Sequence, residues 1–298
     1  MKTCITTPDA LNSGKRLFPL LLILLISCSE TPSIQRQNDW QSLFNEENLE
    51  GWDTYLNRPD LTQPESDSNK PFGLNNDPLG VFSVVTEDGL PAIRVSGQTF
   101  GGISTVDEFE NYHFQVQFKW GDTKWPPRQN AKMDSGVLYH AVEPHGADGG
   151  SWMRSQEFQV QQGDCGDYWG VAGAVFDIPA RMTSDSTYVY DPNGNLYTFK
   201  ANTKVGRHCI KNPDAEKPTG SWNTIDLYCS GDTAVHMING VVNMILYRSQ
   251  QMDGGQERPL TSGKIQIQSE GAEIFYRDFK IRPIKALPVE LLNVNDKP

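Results

Sequence analysis

The stretch SQEFQVQQGDCGDYWG, residues 155–170, begins with period-two alternation: Phe158 and Val160 face one way, Glu157, Gln159 and Gln161 the other. A solvated strand face ordinarily carries Lys, Thr or Ser. One carboxylate beside two amides offers different chemistry, because a carboxylate moves protons while a primary amide both donates and accepts hydrogen bonds. The stretch runs on into Asp164, Asp167, Tyr168 and Trp169. Tyr168 and Trp169 have aromatic faces of the kind that stack on the apolar side of a pyranose ring. Gln115/Gln117 and Gln266/Gln268 alternate in the same way on two other segments, so six glutamines are expected to line one concave sheet. Tyr139 and His140 close the segment SGVLYHAV, whose phase the sequence leaves open; Tyr139 and Gln268 join the candidate ligand contacts, and His140 the candidate proton carriers.

The elements that must position these residues are strands. HFQVQFKW (113–120), SGVLYHAV (135–142), EFQVQ (157–161), WNTIDLYCS (222–230), KIQIQSE (264–270) and EIFYRDFKI (273–281) all alternate, and AVHMI and VVNMIL flank Asn239-Gly240, a pair suited to a two-residue type I′ hairpin. Short strands separated by Gly, Asp and Pro predict a β-sandwich or barrel. Only WQSLFN near residue 40 and PVELLNV near the C-terminus suggest a turn or two of helix. Trp52, Trp120 and Trp222 read as packing residues, and residues 121–134 and 162–221 as long loops, the latter with STYVY and LYTFK as added strands. Long loops on a rigid sandwich usually build its binding site.

The N-terminus reads as a lipoprotein signal. Lys15 and Arg16 precede an apolar run that ends in Leu25-Ile26-Ser27-Cys28, a lipobox in which Cys28 takes the lipid. The expected organisation is a signal at 1–27, a polar tether at 28–38, a β-sandwich at 39–285 and a tail at 286–298, anchored outside the cytoplasm to a bacterial membrane. Removing residues 1–27, which hold Lys2, Lys15, Arg16 and Asp9, takes the formal charge from −11 (26 basic, 37 acidic) to −13 (23 basic, 36 acidic). So acidic a chain argues against nucleic acid and polyanionic ligands and suits neutral ones. Cys165, Cys209 and Cys229 allow one disulfide, with Cys165–Cys209 the expected pair because both sit in loop-like sequence. Asp134, Asp164, Asp167 and Asp177 are oxygen donors of the type Ca²⁺ takes, but no DxDxDG spacing orders them, and no cofactor is expected.

SLFNEENLEGW, DSGVLY, EFQVQ, WNTIDL, HMINGV, GKIQIQS and FYRDFKI follow one another in the order seen in the DUF1080 family, the 3-keto-disaccharide hydrolases, and over roughly residues 40–283 the chain resembles that family. The resemblance implies a concanavalin-like jelly roll with long loops over a concave sheet. It also implies an extracytoplasmic enzyme acting on sugars that a partner oxidoreductase has oxidised at C3. His140 is a departure, standing where many relatives carry an arginine. Arg277 falls in the family's Phe-x-Arg-Asp/Asn-Phe/Ile motif and reads as ordering strand edges.

Two mechanisms compete for this pattern. Concanavalin-like glycosidases carry Glu-x-Asp-x-Glu, with two carboxylates about 5 Å apart in retaining enzymes. Here the spacing reads Glu157-x-Gln159-x-Gln161, and an amide replaces neither nucleophile nor acid. A 3-keto sugar asks less. The ketone acidifies the C2 hydrogen, its loss lets the C1 substituent leave, and water adding to the enone completes a net hydrolysis. Glu157 or His140 would carry the proton, with Gln159 and Gln161 as donors to the developing enolate. The alternative is a non-catalytic surface lipoprotein that binds carbohydrate through the same residues.

Overall fold

The computed structural model describes residues 39–292; the expected signal, lipidated Cys28, tether and last six residues lie outside them. The described residues form two antiparallel sheets stacked face to face as a jelly-roll β-sandwich. One sheet has nine strands, running in space His208–Cys209, Tyr168–Val171, Arg154–Gln161, Asp134–Val142, Ser262–Ser269, Gly101–Thr105, Trp52–Leu56 and Gly73–Leu74, with Phe109–Glu110 added beside Ser262–Ser269. The other has twelve, centred on Tyr112–Lys124, Asn223–Ser230, Thr233–Ile238 and Ala272–Pro283.

Alternation in sequence becomes inside and outside here. Phe114, Val116 and Phe118 point inward from one sheet and meet Val137, Phe158 and Val160 of the other in a single core. Asn239 (φ 51°) and Gly240 (φ 80°) turn the chain between Thr233–Ile238 and Val241–Asp253, the left-handed pair that a type I′ hairpin requires. Polar groups also cross the core. The Gln156 amide donates to Ser249 Oγ at 3.0 Å and to the Val175 carbonyl at 3.0 Å, while its oxygen accepts from the Tyr168 hydroxyl at 2.8 Å. With each partner satisfied, such a network fixes the spacing of the sheets.

Several expectations are corrected by this packing. Gln115 and Gln117 lie in the twelve-stranded sheet, where they bond Asp226 and Arg277, so the six glutamines do not share one face. WQSLFN contributes the short strand Gln41–Ser42 rather than a helical turn, whereas the C-terminal segment does form the helix Val289–Leu292. The 162–221 region contains the strands Tyr168–Val171 and Ala174–Met182, which extend one sheet each. Cys165, Cys209 and Cys229 are separate buried thiols rather than a disulfide and a leftover. The tryptophans do pack as expected: Trp52 and Trp120 are buried, and Trp222 is half-buried, its ring 3.7 Å from the Arg277 guanidinium.

Tyr139 follows Val137 onto the inward face by ordinary alternation, and an irregularity in the strand turns His140 inward beside it. The pairing shifts by one residue there against both neighbours, and His140 takes φ 51°, so the outward phase is lost at this point. The Tyr139 hydroxyl meets His236 Nε2 at 2.9 Å; Nδ1 of that ring lies 3.3 Å from the Gly166 carbonyl, which assigns the proton to Nδ1 and makes Nε2 the acceptor. Burial holds His236 neutral, with its pKa pushed down to about 3. Tyr139→Phe therefore leaves Nε2 without a donor, an expected loss of about 1–3 kcal/mol in urea unfolding. Turnover should be unchanged, since no part of Tyr139 reaches the sheet's outer face.

Candidate active site

The outer face of the nine-stranded sheet carries a pocket of about 210 Å³, built from four adjacent strands and the loops around them. Arg154–Gln161 pairs with Asp134–Val142 so that Glu157 faces Leu138, Gln159 faces Gly136 and Gln161 faces Asp134. On the other side Leu138 faces Gln266, and the same alternation brings Gln268 beside Gly136 and Glu270, just beyond the strand, toward Asp134. Gly136 is thus the one position in this lattice with no side chain. A Cβ there would stand 2.3 Å from Gln268 Oε1 and 2.7 Å from Glu157 Oε1. Both chains lean into the space that the glycine leaves open, which gives the Asp-Ser-Gly segment its chemical reason.

Trp169 reaches the pocket because Tyr168–Val171 pairs with the Glu157 strand, setting Trp169 directly opposite Glu157. The tight turn that permits this needs Gly166: its φ is +101°, and a Cβ would come within 1.9 Å of the Asn243 amide. One face of Trp169 stacks on His208 (ring centroids 4.2 Å, 15°), and His208 is in turn held by Asp167 at 2.9 Å. Trp152 lines the pocket as well, its indole N–H donating to the Gly101 carbonyl at 2.9 Å. With one face on a histidine and the Arg207 guanidinium 5.6 Å from its ring centre, Trp169 is held rigidly beside the pocket. Trp169→Ala is expected to raise KM up to about tenfold with little change in kcat, because an aromatic contact of this kind contributes about 0.5–1.5 kcal/mol. Steady-state kinetics separate the two constants.

The pocket holds four carboxyl groups, Asp134, Asp148, Glu157 and Glu270, and two guanidiniums, Arg128 and Arg207. Arg207 takes Asp148 at 3.0 Å, and Arg128 takes both Asp134 and, at 3.4 Å, Glu270. Gln161 also donates to Asp134. The Gln159 oxygen accepts from the Val160 backbone N–H at 3.1 Å, which leaves its NH₂ group as a free donor. Glu157 is 6 % exposed, and no hydrogen bond or ion pair ties its carboxylate to another described residue. Burial raises its pKa well above the ordinary carboxylate range, with the charges of Glu270 and Asp134 adding to the effect.

Of the residues expected from sequence, the fold therefore brings together Glu157, Gln159, Gln161, Trp169 and Gln268, and leaves Tyr139, His140 and Tyr168 outside the pocket. Tyr168 pairs with Phe158 on the inward face and packs edge-on against Phe176 and Phe199. His140 is buried against Tyr112 and Tyr139, donates from Nδ1 to the Leu260 carbonyl at 3.0 Å, and is kept neutral by burial with its pKa pushed down to about 4. The four aspartates weighed as Ca²⁺ ligands do not converge: Asp134 is in the pocket, Asp164 pairs with Lys132, Asp167 with His208, and Asp177 with Arg248 in the other sheet. Arg128, Asp148, Trp152, Arg207 and Glu270 were not expected. Glu270 was legible as the next step of the Gln266-x-Gln268 alternation; the others come from loops distant in sequence.

A jelly roll with an acid-, amide- and tryptophan-lined pocket on its open sheet face is the class that fold and site define. The chain belongs to the 3-keto-alpha-glucoside-1,2-lyase-like domain family, whose model matches residues 39–282. Among solved structures it is similar to a protein of Parabacteroides distasonis ATCC 8503 provisionally named a glycosyl hydrolase, at 19% identity over 83% of this chain and 100% of that one, TM-score 0.46. A second such protein from the same organism gives 17% identity over 83% and 94% of the chains, TM-score 0.43. The carbohydrate binding module CBM66 of Bacillus subtilis gives 7% identity over 67% and 91%, TM-score 0.39. No curated protein sequence is significantly similar to the chain.

Proposed function

We infer that the protein cleaves 3-keto-glycosides, with Glu157 as the base that removes the C2 proton. The observation that carries this reading is the state of Glu157: alone among the pocket carboxylates it has no guanidinium partner, and it projects over Gly136 into the cavity. A carboxylate with a raised pKa is a stronger base than one in water, which suits the weakly acidic hydrogen beside a ketone. As the enolate forms, charge develops on the C3 oxygen, and the free NH₂ group of Gln159 is the donor available to it. A single donor of this kind stabilises a developing oxyanion by about 2.7–4 kcal/mol. The family's description as a 1,2-lyase agrees with loss of a C1 substituent and a C2 proton. The four pocket carboxylates replace the single one counted in the sequence, so the distinction from a two-carboxylate glycosidase rests on substrate oxidation.

The test is release of aglycone by the purified protein from a 4-nitrophenyl 3-keto-glucoside and from its unoxidised parent. Release from the keto compound alone supports the reading. Equal release from both would replace it with an ordinary glycosidase, and binding without release with a carbohydrate-binding protein.

A further inference from the structure

We propose that Asp134 and Glu270, clamped together by Arg128, share a proton at neutral pH and form the acid that protonates the departing glycosidic oxygen. The proposal rests on the proton-abstraction reading above and supplies its missing half, since His140 is buried away from the pocket.

The geometry begins with Arg128. The Trp125 N–H donates to the Gly271 carbonyl at 2.8 Å, and the Arg128 N–H to the Trp125 carbonyl at 2.9 Å, so the 125–131 loop is tied down beside Glu270. The guanidinium then bonds both carboxyl groups. One cation balances one anion, and the other pocket guanidinium is already taken by Asp148. Ionising Asp134, Glu270 and Glu157 together would leave two uncompensated negative charges on largely buried side chains, which desolvation opposes. A proton retained by the Asp134–Glu270 pair relieves one of them. Asp164 and Asp148 add negative charge nearby and act in the same direction. Consistently, burial pushes Asp134 up to about 7 and Glu270 well above its ordinary range.

A second observation points from this pair to a ligand. Asp134 is 3 % exposed and Gln268 is 2 % exposed, yet Asp134 Oδ1 and Gln268 Oε1 have no hydrogen-bond partner. Two buried acceptors on the same pocket wall are what donors brought by a substrate, its hydroxyls, would satisfy.

The proton account closes. Glu157 takes the C2 proton, the C1–C2 double bond forms as the C1–O bond breaks, and the leaving oxygen takes the proton of the pair. When water adds to the enone, its oxygen bonds C1, Glu157 protonates C2 with a proton it has meanwhile exchanged with solvent, and the second proton of the water returns to the pair. No oxidant or cofactor enters.

An acid of this kind matters in proportion to how poor the leaving group is. Wild type, Glu270→Gln and Asp134→Asn are compared on methyl and 4-nitrophenyl 3-keto-glucosides, and the infrared stretch of protonated carboxyl groups is recorded at pH 7. Loss of about 10²-fold or more on the methyl substrate, with a much smaller loss on the nitrophenyl one, is expected for general-acid removal. The protonated-carboxyl band should be present in wild type and absent from either variant. Equal losses on both substrates, or a wild-type spectrum without the band, would overturn the proposal. A wild type that turns over neither keto compound would instead overturn the proton-abstraction reading, and the infrared result would still decide whether the pair holds a proton.

Discussion

Glu157→Gln is expected to lower turnover of a 3-keto-glucoside by about 10²–10⁴-fold, the range that general-base removal covers, and at the same time to raise the melting temperature at pH 7. The two effects share one cause. Burial, followed by the charges of Glu270 and Asp134, raises the folded-state pKa of Glu157 above the value of a free carboxyl. Between the unfolded and folded pKa values the folded chain binds the proton more tightly than the unfolded one. Stability therefore falls as pH rises through that window, and above the ordinary carboxyl pKa the group opposes folding. A neutral amide of the same shape removes that penalty along with the base. A carboxylate kept for structure behaves in the opposite way, since breaking its contacts destabilises. Activity has the complementary pH dependence: the base must be ionised, so kcat/KM of the wild type should fall as pH drops through the raised pKa. Thermal melts and pH–rate profiles of the two proteins check both signs. Unchanged turnover, or a lowered melting temperature, would remove Glu157 from the chemistry.

Gly136→Ala should cost on the order of 10²-fold in kcat/KM with the fold intact, the scale on which a displacement of about 1 Å in a reacting group is felt. Gly136 does not have a left-handed backbone, so the strand itself accepts alanine. The added methyl group meets Gln268 Oε1 at 2.3 Å and Glu157 Oε1 at 2.7 Å, both of which must move. The effect is confined to the pocket because Ser135 and Val137 on either side face inward, with Ser135 bonded to the Gln268 carbonyl and the Tyr276 hydroxyl at 2.8 Å each. Circular dichroism should be unchanged while turnover falls. Full activity in Gly136→Ala would show that the space above this residue is not where substrate reacts.

Much of this arrangement was legible in the residues. Period-two alternation located the strands, and the Glu157, Gln159, Gln161 phase predicted which side of one strand lines the pocket. It did not say which strands are neighbours. Gln115 and Gln117 share the pattern of Gln266 and Gln268 but fall in the opposite sheet, because alternation reports a face and not a partner. His140 was unreadable for a second reason: one added residue in a strand reverses the phase of every later side chain, and nothing in SGVLYHAV marks it; Tyr139, just before it, keeps the inward phase of Val137. Tyr168 and Trp169 are adjacent and so must point oppositely, and the register with Phe158 and Glu157 decides which one faces the pocket. Arg128, Asp148 and Arg207 depend on long loop closures, which carry no local signal. They nonetheless set the pocket's charge balance.

The most direct measurement tracks the hydrogen at C2. A 3-keto-glucoside carrying deuterium at C2 is given to wild type and to Glu157→Gln in ordinary water, and loss of the label is timed against release of the aglycone. Proton abstraction by Glu157 predicts that wild type loses the deuterium at least as fast as it releases the aglycone, and that the variant does neither above background. Aglycone released by wild type with the deuterium still in the sugar would contradict it.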